Sequence, residues 1–194
     1  MRKLSGLIPG NLKLNELNFD NFSQSKYWGG YFERKGSFDS ECMESSVKHV
    51  MSYFQPHFND YITLSALSYD DAREHDKEIN SKYGSTFITA KDRGFLRSLS
   101  EDYESFLYGE AKLQVTNITL SINDEFTWDL CRLLMMHGGV LGEVLFIAFI
   151  KQGVIVYPHK DTGFGVISMD PTLKIAKDFL TAVAQDERFD VYWA

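Results

Sequence analysis

Residues Val144–Ser168 read VLFIAFIKQGVIVYPHKDTGFGVIS, and this stretch decides the fold class. Val144–Ile150 is a short apolar run of β-branched and aromatic residues, the pattern of a buried strand. Lys151, Gln152 and Gly153 form a tight-turn signal, after which Val154–Tyr157 resumes the apolar run, so the two segments pair as a hairpin. A third strand is expected at Gly165–Ser168. Between the second and third strands, Tyr157–Val166 (YPHKDTGFGV) admits two readings. As chemistry, His159 would be a general base and Asp161 the carboxylate that orients it. As architecture, Pro158 limits strand pairing, Asp161 caps a turn and Gly163 supplies a positive φ. The second reading accounts for the residues without invoking a nucleophile that the sequence does not display.

Outward from this meander, helices and strands alternate in an irregular order. Asn123 or Asp124 caps a helix in which Phe126, Leu130, Leu133, Leu134 and His137 recur at the helical period, with Gly138 and Gly139 as its stop. MDPTLKIAKDFL begins another, with Asp170 as N-cap and Pro171 at the first helical position. The closing RFDVYWA is an edge strand or a docked tail. Upstream, YWGGYFERKGSF is a strand and turn, and Asp39 or Ser40 caps a helix to Phe54 whose Met43, Val47, Val50, Met51 and Phe54 face a core. DYITLSALSYDD alternates as a strand with one buried face. DDAREHDKEINSKYG is charged all round and reads as an exposed helix or mobile arm ending at Gly84. GFLRSLSEDYESFL holds a short helix with Phe95, Leu99, Tyr103 and Phe106 on one side. AKLQVTNITLSI is a strand with Leu113, Val115, Ile118 and Leu120 inward. The expected architecture is α+β, a single antiparallel-rich sheet with helices packed mainly on one face, forming one domain over residues 1–194.

Composition narrows the function classes. The chain has 194 residues, 44% of them hydrophobic and 14% aromatic, enough to bury a real core. Its longest apolar tract, Val140–Ile150, is interrupted by Gly142 and Glu143 and is too short to span a bilayer. The start, MRKLSGLIPGNLKLNEL, opens with two basic residues but has no apolar run followed by a small-residue cleavage site, so no signal peptide is read and the expected compartment is the cytoplasm. There Cys42 and Cys131, each within a helical pattern, are expected to be buried free thiols. The net charge is −7, and it is unevenly spread. Residues 1–100 carry 13 acidic and 13 basic side chains, whereas residues 101–194 carry 14 acidic against 7 basic. No Lys/Arg cluster is present to displace counterions from a phosphate backbone, which argues against nucleic-acid binding. An acidic surface suits a basic protein partner, or solubility alone.

No nucleophile elbow, phosphate-binding glycine loop or zinc-protease motif occurs. His49, His57, His75, His137 and His159 are scattered, with no two at metal-ligand spacing, so neither a metal nor a cofactor is expected. His137, at a helix C-terminus, is explained by the helix dipole. Tyr27, Trp28, Tyr31 and Phe32 are a stacking platform or core packing, the latter favoured by the few basic residues around them. Near the C-terminus, Asp186, Glu187 and Asp190 surround Tyr192 and Trp193. Aromatic anchors ringed by carboxylates suit a basic protein partner.

The last third, VYPHKDTGFGVISMDPTLKIAKDFL…FDVYWA, resembles a bacterial domain family of unknown function. Its members carry a YDDRG-like strand–turn–strand, a helix and a closing aromatic segment. Upstream, GGYFERKGSF…VKHVMSYFQPHFNDYITLSAL is similar to that family's arginine-containing strand, helix and hydrophobic strand. Where the family has Asp-Arg-Gly, this chain has Asp161, Thr162 and Gly163, without the arginine. Small acidic α+β proteins of this kind also resemble immunity proteins of bacterial toxin–immunity systems. That resemblance implies a non-enzymatic protein that neutralises a basic, nuclease-type toxin domain in the cytoplasm. The expected contact residues are Asp161, Asp186, Glu187, Asp190, Tyr192 and Trp193. The alternative is a small hydrolase or metal-dependent enzyme centred on His159 and Asp161, with His137 as a further candidate.

Overall fold

The computed structural model describes residues 16–37, 40–57, 59–73 and 76–194. The N-terminal start, Asp39 and His75 therefore lie outside the described residues. The meander forms as its sequence requires. β5 (Val140–Phe149), β6 (Val154–His159) and β7 (Gly163–Ser168) are antiparallel neighbours. Around them lie β1 (Trp28–Arg34), β2 (Tyr61–Tyr69), β3 (Leu96–Ser98), β4 (Thr119–Ile122) and β8 (Phe189–Trp193). All eight belong to one sheet, in the order β3-β2-β5-β6-β7-β1-β8, with β4 paired to β2 beside β3. Among the described residues only the β2–β3 pair is parallel. The fold is α+β with a mostly antiparallel sheet.

Four helices, α1 (Ser40–Phe54), α2 (Lys77–Asp92), α4 (Thr127–Met136) and α5 (Lys174–Val183), share one face of the sheet. There they cover Phe32, Leu145, Ile147, Phe149, Val154, Val156, Phe164 and Val166. In α5, Ala176, Phe179, Leu180 and Val183 form the buried stripe, at the i, i+3, i+4, i+7 spacing of an amphipathic helix. Gly29 lets that stripe approach β1, since a Cβ there would lie 2.6 Å from the Ala176 Cβ. The other face carries a second core of Ile62, Leu64, Ala66, Phe146, Ala148, Ile155 and Tyr157. α3 (Glu101–Leu107) and the segment bearing Leu17, Phe19 and Phe22 cover it.

Several expectations change. β2 is buried on both faces, because α4 covers its polar side, where Thr63 and Thr127 pair hydroxyls at 2.7 Å. α2 runs on through Gly84, capped by Asp76, whose carboxylate accepts from the Glu78 and Ile79 amides, and it buries Tyr83, Phe87 and Ala90. Phe95 joins the helix-side core while Tyr103 and Phe106 of α3 join the other. Val115 sits in a 3-10 turn and is exposed, so the strand there begins only at Thr119. Asn123, with φ 50°, ties the start of β2, its side chain bonding the Tyr61 amide and the Asn59 carbonyl. Asp124 instead accepts from Phe126 ahead of α4. Asp170 does not cap α5 and Pro171 does not open it. Asp170 closes a local turn on Thr172, and the helix begins at Lys174 after Leu173 in a left-handed conformation.

Cys42 and Cys131 are free and buried, and burial pushes the Cys131 thiol well above its ordinary range. No helix among the described residues is long and apolar enough to cross a membrane.

Candidate functional site: the open half of the sheet

The face opposite the helices is covered only in part. Over β2, β5 and β6 the second core closes it and extends to Ile167 of β7 and Trp28 of β1; beyond them, Tyr31, Glu33 and Asp190 are half-buried and Tyr192 is exposed. Strand alternation decides what stands there. In β1, Phe32 points to the helices, which turns Tyr31 and Glu33 to the open side. A bulge at Gly29 and Gly30, with φ +123° at Gly30, resets the alternation so that Trp28 shares that side with Tyr31. A Cβ at Gly30 would collide with the Tyr192 carbonyl, so glycine is required for the β1–β8 contact as well. In β8, Val191 packs toward the helices, so Asp190 and Tyr192 face the open side.

The resulting strip is aromatic and acidic. Tyr31 and Tyr192 are direct cross-strand partners with rings stacked at 4.6 Å and 13°. Trp28 lies 6.2 Å from Tyr31 and donates its indole N–H to the Tyr157 hydroxyl at 2.9 Å. Burial pushes the Tyr157 phenol up to about 12, so it stays a neutral acceptor for that bond. Tyr192 is 42% exposed. Glu33 beside its hydroxyl raises its pKa, while partial burial, with Glu33 and Asp161, raises that of Tyr31. Glu33 and Asp190 stand directly opposite each other, two carboxylates in one cross-strand pair. Lys35 relieves the pair only in part, its ammonium lying 3.4 Å from Asp190. On the side of the second core, between α3, β5 and the Phe19–Phe22 segment, lies an open groove of about 540 Å³ lined by Phe22, Phe106, Gly142, Asp20, Glu143 and Lys160.

His159 borders this strip but is not half of a hydrogen-bonded acid–base dyad. Its Nε2 lies 3.0 Å from the Phe32 carbonyl, which can only accept, so that nitrogen carries the proton and donates. The ring meets Tyr31 edge-on at 5.6 Å. Burial lowers its pKa, and Asp161 opposes this through space without a hydrogen bond between them. The β6–β7 turn also differs from expectation. Pro158 pairs with Phe164 and His159 with Gly163, leaving a three-residue loop in which Thr162, not Gly163, has the positive φ, 61°. Gly163 is needed because any Cβ there would strike the Phe32 carbonyl. His137 lies on the helix side, stacked on Phe87 at 4.1 Å and accepting from the Gly139 amide through Nδ1, so the fold does not bring it to His159. Among the described residues, no group of three or more His, Cys, Asp or Glu side chains is placed to hold a metal ion.

Of the six residues expected at a partner surface, Asp161, Asp190 and Tyr192 border or lie on this open face. Asp186 does not. Its carboxylate accepts from the Arg188 side chain at 2.6 and 2.9 Å and faces His49 Nε2 at 2.9 Å, tying β8 to α1. The Arg188 guanidinium, aided by His49, holds it far below the usual carboxylate range. Trp193 projects to the helix side of β8, 47% exposed, and Glu187 lies on the exposed turn before β8. Core packing, the favoured expectation for the Tyr27–Phe32 cluster, holds for Phe32 in the helix-side core and for Trp28 against the second core, whereas Tyr31 stacks on Tyr192 and Glu33 is not among the expected site residues. Alternation with Phe32 would have found Tyr31 and Glu33, but nothing local announces that β8 lies beside them.

Comparison with protein-family models finds no match, and neither the search of curated proteins nor that of solved structures returns one.

Proposed function

We propose that this chain is a non-catalytic binding protein that captures a basic protein partner on the open half of its sheet, in the manner of an immunity protein neutralising a cognate nuclease-type toxin in the cytoplasm. One observation carries this reading. Glu33 and Asp190 are placed face to face beside the stacked Tyr31 and Tyr192. Like charges directly opposite in a sheet oppose folding, so the pair is better accounted for by what it meets outside the fold. A lysine or arginine arriving between the two carboxylates would relieve their repulsion, and its cation would lie against tyrosine faces. Aromatic anchors would supply most of the affinity, while the surrounding carboxylates speed encounter and reject acidic partners.

The test is co-expression with the product of the reading frame adjacent to this gene, which the proposal requires to be a toxin. The wild-type chain is expected to restore growth, and a Tyr31→Ala, Glu33→Lys double variant of equal abundance to lose that protection. Growth arrest despite abundant wild-type chain, with no complex on purification, would overturn the proposal.

A further inference from the structure

β8 ends the sheet, and among the described residues nothing pairs with its outer edge. Which backbone groups that edge offers follows from the ladder. Lys35 donates to the Arg188 carbonyl at 2.8 Å, and Ala194 donates to the Gly29 carbonyl at 3.3 Å. With Glu33 opposite Asp190 and Tyr31 opposite Tyr192, the antiparallel alternation turns the N–H and C=O groups of Asp190 and Tyr192 toward β1. Those of Val191 and Trp193 therefore point outward, together with the carbonyl of Phe189, whose own N–H returns to Asp186 at 3.1 Å. Open edges in proteins are usually guarded by proline, by lysine or by a covering element. Within β8 neither proline nor lysine occurs, and the one charge is Asp190.

We infer that this edge is the docking line: an extended segment of the partner, with lysine or arginine at alternate positions, adds to β8 as a further strand. The inference rests on the basic-partner reading and specifies how such a partner is held. Backbone pairing would use the outward groups of Val191 and Trp193, and alternate side chains would then cross the open face over Tyr192 and Asp190. Charge selects this occupant over a second copy of the chain. Antiparallel self-pairing about Val191 would bring two Glu33–Asp190 pairs onto one face of a joint sheet, between chains each of net charge −7.

The experiment uses the ¹⁵N-labelled full chain and two capped octapeptides, one alternating Thr and Arg, the other alternating Thr and Glu. With the Arg peptide in tenfold excess over its dissociation constant, amide exchange at Val191 and Trp193 is expected to slow by about tenfold. The Glu peptide should leave both unchanged. Val191→Pro removes an outward N–H without touching the β1 ladder, and it should abolish the protection while the remaining amide spectrum is kept. Trp193→Pro serves the same purpose if the first variant unfolds. Shifts at Tyr31, Tyr192 and Asp190 without protection at Val191 would overturn the edge inference and leave the basic-partner reading standing. Equal or tighter binding of the Glu peptide would overturn the basic partner itself. No shift with either peptide at millimolar concentration, or protection of Val191 that rises with protein concentration alone, would overturn the edge inference.

Discussion

At the scale of single residues, Glu33 is the side chain whose placement the fold explains least and the proposed function explains best. It stands opposite Asp190, with Lys35 beside Asp190 and the Tyr192 hydroxyl beside Glu33 offsetting the pair only in part. Glu33→Gln is therefore expected to stabilise the fold by about 0.2–1 kcal/mol in urea denaturation, while weakening capture of a basic partner. His159 gives a second prediction, with a definite sign. Burial holds its imidazole below the ordinary value, so the folded state favours the neutral ring. Its contribution to stability is full above the unfolded-state pKa of about 6.5 and is lost as pH falls through the lower folded-state value. The urea midpoint should begin to drop as pH falls below about 7.5 and level off only once the buried ring is also protonated, and His159→Asn should flatten that drop. Asp186 acts in a different window. Its pKa is depressed, so its contribution is full above about pH 4 and disappears only in stronger acid.

At the scale of elements, the β6–β7 hairpin shows what local sequence can convey. The apolar runs and turn residues were legible, and so was a strand–turn–strand at YPHKDTGFGV. The exact pairing was not, because Pro158 reads as a strand terminator. It is tolerated within β6 because alternation aims its missing N–H at the β5 side, where the ladder has ended at Val156. Likewise Gly163 reads as a turn glycine, yet its lack of a Cβ serves β1, a strand distant in sequence. Gly163→Ala should therefore cost about 3 kcal/mol in chemical denaturation by forcing β1 away from β7. A loss under about 0.5 kcal/mol, the usual range for a surface substitution, would show that the strands can part at little cost. The start of α5 was misread for a related reason. Asp170 and Pro171 are a plausible helix opening on their own, but Thr172 engages the Asp170 carboxylate and a left-handed Leu173 delays the helix.

At the scale of the whole molecule, charge along the chain does not map onto charge over the surface. The first hundred residues are neutral in sum and the remainder acidic. Yet β1, from the neutral half, lies between β7 and β8 of the acidic half. The acidic strip thus draws Glu33 from one half and Asp190 from the other, a pairing set by sheet order and invisible to any window of sequence. The same order separates residues that are neighbours in the chain. Asp186 turns to α1, Trp193 to the helix side, and Asp190 and Tyr192 to the open face. Fold class was legible from hydrophobic pattern, and of the two readings of the closing RFDVYWA the sheet selects the edge strand, whereas the candidate site depended on a long-range pairing between the first strand and the last.

The central claim is that a basic partner docks on this open face. Its most direct test is calorimetric titration of the partner the proposal requires, sought first in the product of the adjacent reading frame, against matched variants of the chain. Tyr31→Ala, Tyr192→Ala and Glu33→Lys should each weaken binding by about 30-fold or more. Glu125→Lys, which makes the same charge change beside α4 on the helix side, should stay within about threefold, the range of a peripheral charge. Equal losses for Glu33→Lys and Glu125→Lys, with both tyrosine variants binding as wild type, would contradict the account and leave only a diffuse attraction to net charge.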